Sequence, residues 1–551
     1  VAPFVRAASL RALGSGTFDV LVIGGGMTGC GTAVDAAARG LSVALVEAED
    51  FASGTSSKSS KMVHGGLRYL QQREFRLVYE NLHERQRLLE NAPHLVTPLP
   101  FLIPLFGRDG AASKALVRSY KTALWLYDLT GGLRIGHRHE EVDRDEVVRH
   151  FPTLDVSSLI AGFLYYDARG DDARVALSLA RTASDLGAVV ANYTPATGFL
   201  RDHLGRVVGA TLRPDAPGEQ DSGDIEVRAR VVVNAAGVFA DEVSSLDEEV
   251  VAESLTPAKG VHVSVPADRL PCDLAAVIPV PEDRRSIFVV PWAEGPFVYI
   301  GTTDTTYEGD LREPRCEPAD VAYLLGAVNR LTSADLKPDD VTAVWAGLRP
   351  LLKPSQGRRI SARTADLSRR HHVGTEADGV VTITGGKWTT YRKMAEDAVD
   401  EIARQLPGVP RCATRRLSLH GASEVVGEPL AGLDEELSEH LRRRYGSDAE
   451  VLARMIVDKP ADAEPIVEGL PYVAAEVRFA ARHEMAVGLD DVLARRTRSQ
   501  LQDARATRRA APAVAQLLAE ELSWSPARLS DEIATYEALI TAELTSAGLP
   551  A

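Results

Sequence analysis

The sequence predicts an α/β chain: a parallel-sheet core, an antiparallel β-rich section inserted into it, and an all-helical C-terminal segment. Three observations carry that prediction. Within residues 18–47 an apolar run, a glycine-rich turn, an alanine-rich helical pattern and a second apolar run follow one another. Strand-like runs crowd residues 255–305, interrupting the α/β alternation. Beyond residue 421 nearly every stretch has helical periodicity. At 551 residues the chain is too long for one compact core. The expected division is a region 1–405, a linker over 406–421 with little periodicity and two prolines, and a helical domain 422–551.

The first element is the most specific. Phe18–Ile23 is a short apolar strand ending in Gly24-Gly25-Gly26-Met27-Thr28-Gly29, and a helical pattern runs to Arg39-Gly40. Leu41 to Val46 is the second strand, closed by Glu47. Strand, turn, helix, strand and acid at this spacing are the βαβ signature of a Rossmann-like dinucleotide site. Gly24 allows the tight turn, Gly26 lets the backbone approach a pyrophosphate, and Gly29 lets the helix pack on the strand. The helix N-terminus offers unpaired N–H groups to the phosphates, and Glu47 can accept from a ribose diol. The motif by itself fits FAD and NAD equally.

Next comes a hydroxyl-rich loop, Ser53 to Lys61, leading into Met62-Val63-His64-Gly65-Gly66-Leu67-Arg68-Tyr69-Leu70. Its place directly after the acid puts it on the cofactor side of the sheet. Residues 74–91 predict an amphipathic helix, 101–106 an apolar strand, and 113–129 a second helix. On that helix Lys114, Arg118 and Lys121 share one face, Leu116, Tyr120, Ala123, Leu124 and Tyr127 another, and Trp125 lies near its end. A basic amphipathic helix suits an anionic membrane surface; a packed helix with a solvated charged face is the alternative.

Strands are expected at 189–191, 207–212 and 225–233, the last leading into the tight turn Asn234-Ala235-Ala236-Gly237, a second backbone approach to the cofactor. In the β-rich section the strands include 262–265, 287–290 and 298–300. Val344 to Leu351 returns to the core with Arg349 inside an apolar run, where an unpaired charge is costly. Strand 380–384 and the turn Gly385-Gly386-Lys387 open a long helix whose N-terminus can face an anion. C-terminal helices are expected at 433–445, 449–457, 472–487, 489–505, 511–522 and 527–546. Arg442-Arg443-Arg444 reads as a solvated helix face or as a phosphate or lipid contact.

Composition sets limits. The net charge of −15 argues against general nucleic-acid binding. Cys30, Cys272, Cys316 and Cys412 have no metal-ligand spacing and read as free thiols in a reducing compartment, with no metal expected. No apolar run is long enough to span a bilayer, and the apolar part of residues 1–17 is too short and broken for a secretory signal.

With these pieces placed, the chain resembles the FAD-dependent glycerol-3-phosphate dehydrogenases of the D-amino-acid-oxidase-like flavoproteins. The resemblance rests on Ile23-Gly24-Gly25-Gly26 through Glu47, Thr55 through Lys61, and His64 through Leu70. It extends to Pro291-Trp292, Ile300-Gly301-Thr302-Thr303-Asp304, Gly347 through Leu351, Gly385-Gly386-Lys387 with Thr389 through Lys393, and the C-terminal Glu476-Val477-Arg478 and Arg495-Arg496-Thr497. Two positions depart from the family pattern, Asn234 through Phe239 and Trp388.

The resemblance implies noncovalent FAD, held by segments at about 17–95, 165–245 and 345–405 with the substrate domain interleaved. It implies cofactor contacts from Gly24, Gly26, Gly29, Glu47, Thr55, Ser56, Ser60, His64, Ala196, Ala235, Gly237, Gly386, Lys387 and Thr389. The substrate sn-glycerol 3-phosphate would meet Arg68, Tyr69, His262, Arg349, Arg363 and Lys387, because a phosphate dianion calls for converging cations. His64 is the expected base and Arg349 the expected stabiliser of the alkoxide. The implied acceptor is a membrane quinone, with dioxygen, as in a glycerol-3-phosphate oxidase, the alternative. The implied location is cytoplasmic, peripheral to an anionic lipid surface on the inner face of the cell membrane. A homodimer is left open.

Overall fold

The computed structural model describes residues 4–67, 74–107, 114–218, 223–247, 254–280, 285–353, 371–422 and 428–551. Two sheets organise the chain. In the first, five parallel strands run in the order Val381–Gly385, Ile225–Asn234, Thr17–Ile23, Val43–Val46 and Val189–Ala191, with His371–Thr375 antiparallel at one edge. Helices Met27–Ala38, Asp172–Asp185 and Tyr391–Gln405 pack together on one face over a core of valine, alanine and leucine. Such strands are buried on both faces, so Val20 to Val22 and Val43 to Val46 are continuously apolar rather than alternating.

The second sheet has ten strands and is mostly antiparallel. Its long members are Val96–Phe106, Leu159–Gly170, Leu255–Pro266 and Ala343–Leu352. The β-rich section is there as expected, but the sheet recruits strands from well outside 255–305. Residues 345–352, grouped with the cofactor segments in the sequence expectation, pair along Leu255–His262 in this sheet. The reason is side-chain alternation: His262, Trp345 and Arg349 point to one face, while Val261, Val263, Val344 and Ala346 fill the core on the other.

The C-terminal segment is helical, with two changes of detail. The expected helix 489–505 is broken into Asp491–Arg496 and Ser499–Gln502, with Arg498 left-handed at φ 74° between them. Ion pairs of Arg495, Arg496 and Arg498 to carboxylates of the first region outweigh helical propensity there. The helix expected at 511–522 starts instead at Ala504, where the Asp503 side chain accepts from the Ala506 N–H, and carries Pro512 in its interior. No helix among the described residues is long and apolar enough to cross a membrane.

Candidate active site

The glycine turn is tight by construction. Gly24 has φ 115°, and a Cβ there would lie 2.6 Å from the Ala235 carbonyl oxygen. A Cβ on Gly29 would sit 1.8 Å from the Gly24 carbonyl oxygen, so only glycine lets the helix Met27–Ala38 approach its strand. Gly26 caps that helix with no side chain of its own, and the Met27 N–H donates to Ser56 Oγ at 2.9 Å. Glu47 accepts from the Gly25 N–H at 2.5 Å and from the Glu49 N–H at 3.0 Å. Burial lifts its carboxyl to about 7 against those two donors.

Neighbouring chain segments close on this turn. The Ala235 N–H donates to the Ile23 carbonyl, and Gly237, at φ 62°, begins the short turn of helix Gly237–Phe239. The Thr194 N–H donates to the Glu47 carbonyl, which brings Ala196, two residues on, to the start of the adjacent hairpin strand. These groups fit a dinucleotide: a helix N-terminus with a glycine at its cap, a cradle tightened by Gly24 and Gly29, and a carboxylate at the end of the second strand.

The hydroxyl-rich loop after Glu47 ties the two sheets together. Thr55 Oγ1 donates to the Leu348 carbonyl at 2.6 Å, and Trp345 Nε1 donates to the Ser59 carbonyl at 3.4 Å. Ser60 Oγ is 2.8 Å from His262 Nε2, and the Tyr299 hydroxyl donates to the Ser60 carbonyl at 3.0 Å. The His262 ring stacks on Trp345 with centroids 4.8 Å apart. Burial, with Lys61 and Arg349 nearby, drives the His262 pKa well below 6.5, so the ring is neutral.

Arg349 is placed two strand positions beyond Gly347 on the same face. Its guanidinium meets Asp304 Oδ1 at 3.3 Å and Thr302 Oγ1 at 3.3 Å. A Cβ on Gly260, across the strand pair, would lie 2.5 Å from Nη2, so that glycine makes room for the fork. The same strand runs against Gly237–Phe239 and Val381–Gly385, beside the second glycine turn. There Gly385 and Gly386 are left-handed, half-buried Lys387 precedes the helical turn Trp388–Thr390, and Thr389 is buried. Trp388 packs where Gly170 leaves space, since a Cβ there would be 3.0 Å from its ring.

His64 follows the strand Met62–Val63 and is half-buried. The next residue is pinned: the Gly65 N–H donates to the Tyr127 hydroxyl and to Asp167, and its carbonyl accepts from Asn81. Arg68, Tyr69 and Arg363 lie outside the described residues.

Sequence reasoning missed the supports. Asp50, three residues past Glu47, is fully buried and held by Arg495 and Arg496 at 2.6 Å each. Burial raises its carboxyl, but the two guanidinium groups outweigh that and hold it at about 2. Removing one member of such a buried pair costs roughly 3–5 kcal/mol. Lys61 meets Asp172 at 3.3 Å, and Arg498 reaches Asp171 at 2.9 Å. The arginines 495 and 496 stood out in the sequence; their partners, some 446 positions away, carried no local signal.

The family described as FAD dependent oxidoreductase matches residues 19–392. The chain belongs to that family. Its members use FAD. Residues 412–529 match the C-terminal domain of alpha-glycerophosphate oxidase. The chain is 43% identical to glycerol-3-phosphate dehydrogenase 2 of Mycobacterium tuberculosis, over 100% of this chain and 92% of that one. It is 37% identical to the mitochondrial glycerol-3-phosphate dehydrogenase of Mus musculus, over 94% of this chain and 72% of that one. Its fold aligns with the structure of the glycerol-3-phosphate dehydrogenase from Bacillus halodurans complexed with FAD, with TM-score 0.75 and 30% identity, covering 98% and 97% of the two chains.

Proposed function

We propose that the chain oxidises the secondary hydroxyl of sn-glycerol 3-phosphate, giving dihydroxyacetone phosphate, with FAD as its redox group and a membrane quinone as acceptor. The observation that carries this reading is Arg349: a half-buried guanidinium oriented by Asp304 and Thr302 on the sheet face tied to the flavin-side loop. The names of the relatives support it. Bound FAD supplies the acceptor for the hydride leaving carbon 2.

The chain's own residues do the rest. Arg349 and Lys387 hold the anionic end or the developing alkoxide, and Arg68, Tyr69 and Arg363 are proposed to join them. His64 takes the hydroxyl proton. His262, neutral and hydrogen-bonded to Ser60, positions the loop against the substrate face.

An exposed apolar patch supports membrane attachment. Trp125 and Leu129 are 53% and 57% exposed and continue the helix face that carries Arg118 and Lys121. Phe75 and Tyr79, 46% and 53% exposed, lie on the helix that contacts the turn bearing exposed Leu133. Apolar side chains rimmed by cations suit an interfacial position.

A second reading has dioxygen as acceptor, favoured by the match of residues 412–529. One experiment addresses both. Glycerol 3-phosphate added anaerobically should bleach the flavin, and a soluble quinone should restore its colour faster than air does. A flavin that stays oxidised sinks the reading; rapid reoxidation in air with stoichiometric peroxide selects the oxidase.

A further inference from the structure

A cavity of about 90 Å³, partly open to solvent, lies between the second sheet and the C-terminal helices. Trp292, Tyr299 and Tyr472 supply flat apolar walls, while Arg169, Arg443 and Arg444 supply cations. The glycine turn, Glu47, Ser56, Arg349 and Lys387 do not line it, while Tyr299, which bonds the Ser60 carbonyl, and Lys61 form the wall it shares with the site described above. Its walls combine aromatic faces with charged side chains.

The charges facing this cavity are matched except at one position. Lys61 pairs with Asp172, Arg174 with Glu484, Arg443 with Glu439, Arg444 with Glu294, and Arg498 with Asp171. The two lining carboxylates, Asp171 and Glu294, are thereby taken, and Glu294 also meets His440. Arg169 has no carboxylate, carbonyl or hydroxyl partner among the described residues, and its Nε is buried. Burial disfavours its charge, with Arg443 adding to that and Tyr299 and Glu294 opposing it at a distance. No anion is in direct contact with it among the described residues.

We propose that this cavity is a second ligand site, taking a small organic acid with one carboxylate and a flat apolar body. The planar Arg169 fork fits a carboxylate in two parallel hydrogen bonds, and the body stacks among Trp292, Tyr299 and Tyr472. A phosphate dianion fits less well, because only one cation is unmatched. The Arg443-Arg444 pair, which the redox reading does not use, also lies on the wall, with its charges met by Glu439 and Glu294. Lys61 links this site to the other: its ammonium lies 5.9 Å from the Trp292 ring and 5.1 Å from Trp345, on which His262 stacks.

Calorimetric titration of the flavin-loaded protein with benzoate tests the proposal. One site per chain is expected, weakened at least about tenfold by Arg169→Gln, since a charged hydrogen-bonded pair is lost. Arg349→Ala, which alters the redox site, should leave benzoate affinity unchanged. Flavin content and thermal unfolding verify folding. Should Arg169→Gln not fold, Arg169→Lys, with charge but no fork, should show intermediate affinity. Absence of benzoate binding at millimolar concentration, equal affinity in wild type and the Arg169 variant, or loss of binding in Arg349→Ala would each overturn the assignment.

Discussion

Arg349 Nη1 lies 3.3 Å from Oδ1 of Asp304, a side chain carried by the turn after strand Phe297–Gly301, on the far side of Leu255–Pro266 from the Arg349 strand. The Asp304 contact and the Thr302 hydroxyl together orient a guanidinium that remains 24% exposed and is therefore able to meet a substrate. Replacing Arg349 by alanine removes charge and fork together. A hydrogen bond to a charged partner contributes roughly 1.5–3 kcal/mol, so kcat/KM should fall at least about tenfold, and Arg349→Lys should recover part of that. A fall in kcat marks a transition-state contact, whereas a rise in KM alone marks a phosphate contact. Full flavin content with near-normal kcat/KM would remove Arg349 from the site.

The two histidines separate by pH. A base must be deprotonated, so activity is lost as pH falls through its pKa. His262, held well below the ordinary histidine value by burial, gives no acid limb near neutrality. If His64 is the base, the kcat/KM profile should show an acid limb that His64→Asn removes, with a loss on the order of 10²–10⁴ in rate. His262→Asn should keep it. The reverse pattern would transfer the base role to His262.

The C-terminal domain is clamped through His440, with Nδ1 3.1 Å from Glu294 and Nε2 3.0 Å from Glu476. Burial alone would neutralise the ring, but the two carboxylates outweigh it and raise its pKa from 6.5 to about 10. With the folded pKa above the unfolded one, the stabilisation is complete below pH 6.5 and drains away as pH rises to about 10. His440→Gln should therefore lower Tm most at about pH 6, with the gap to wild type closing toward pH 10. A gap that does not change with pH would assign the effect to packing.

Lys121 pairs with Glu141 at the surface at 3.1 Å, a contact too exposed to anchor the helix by itself. If the basic face meets lipid, glutamine at Arg118 and Lys121 should weaken binding to anionic vesicles by roughly 1 kcal/mol per residue. Serine at Trp125 and Leu129 should weaken it further, while dye-linked turnover survives. Vesicle binding that ignores all four substitutions would make this helix an ordinary packed element.

The sequence by itself determined the dinucleotide turn and the helical character of the C-terminal segment, because both are local. The spacing from Gly24 to Glu47 spans one βαβ unit, and at Gly24 and Gly29 the need for glycine shows as a Cβ that would clash with backbone. Helical periodicity likewise needs only neighbours in the chain. Tertiary structure decided what depends on distant pairing. Sheet register put Arg349 on the same face as His262, through a strand pair that periodicity could not align. Residues 202 positions apart had to meet before Ser60 could bond His262. The predicted helix 489–505 broke because Asp50, Asp171 and Asp172 draw its arginines out of line, and no window of the sequence contains both partners. A buried carboxylate must find a cation wherever the chain can bring one, so such pairs are settled by the fold and not by spacing.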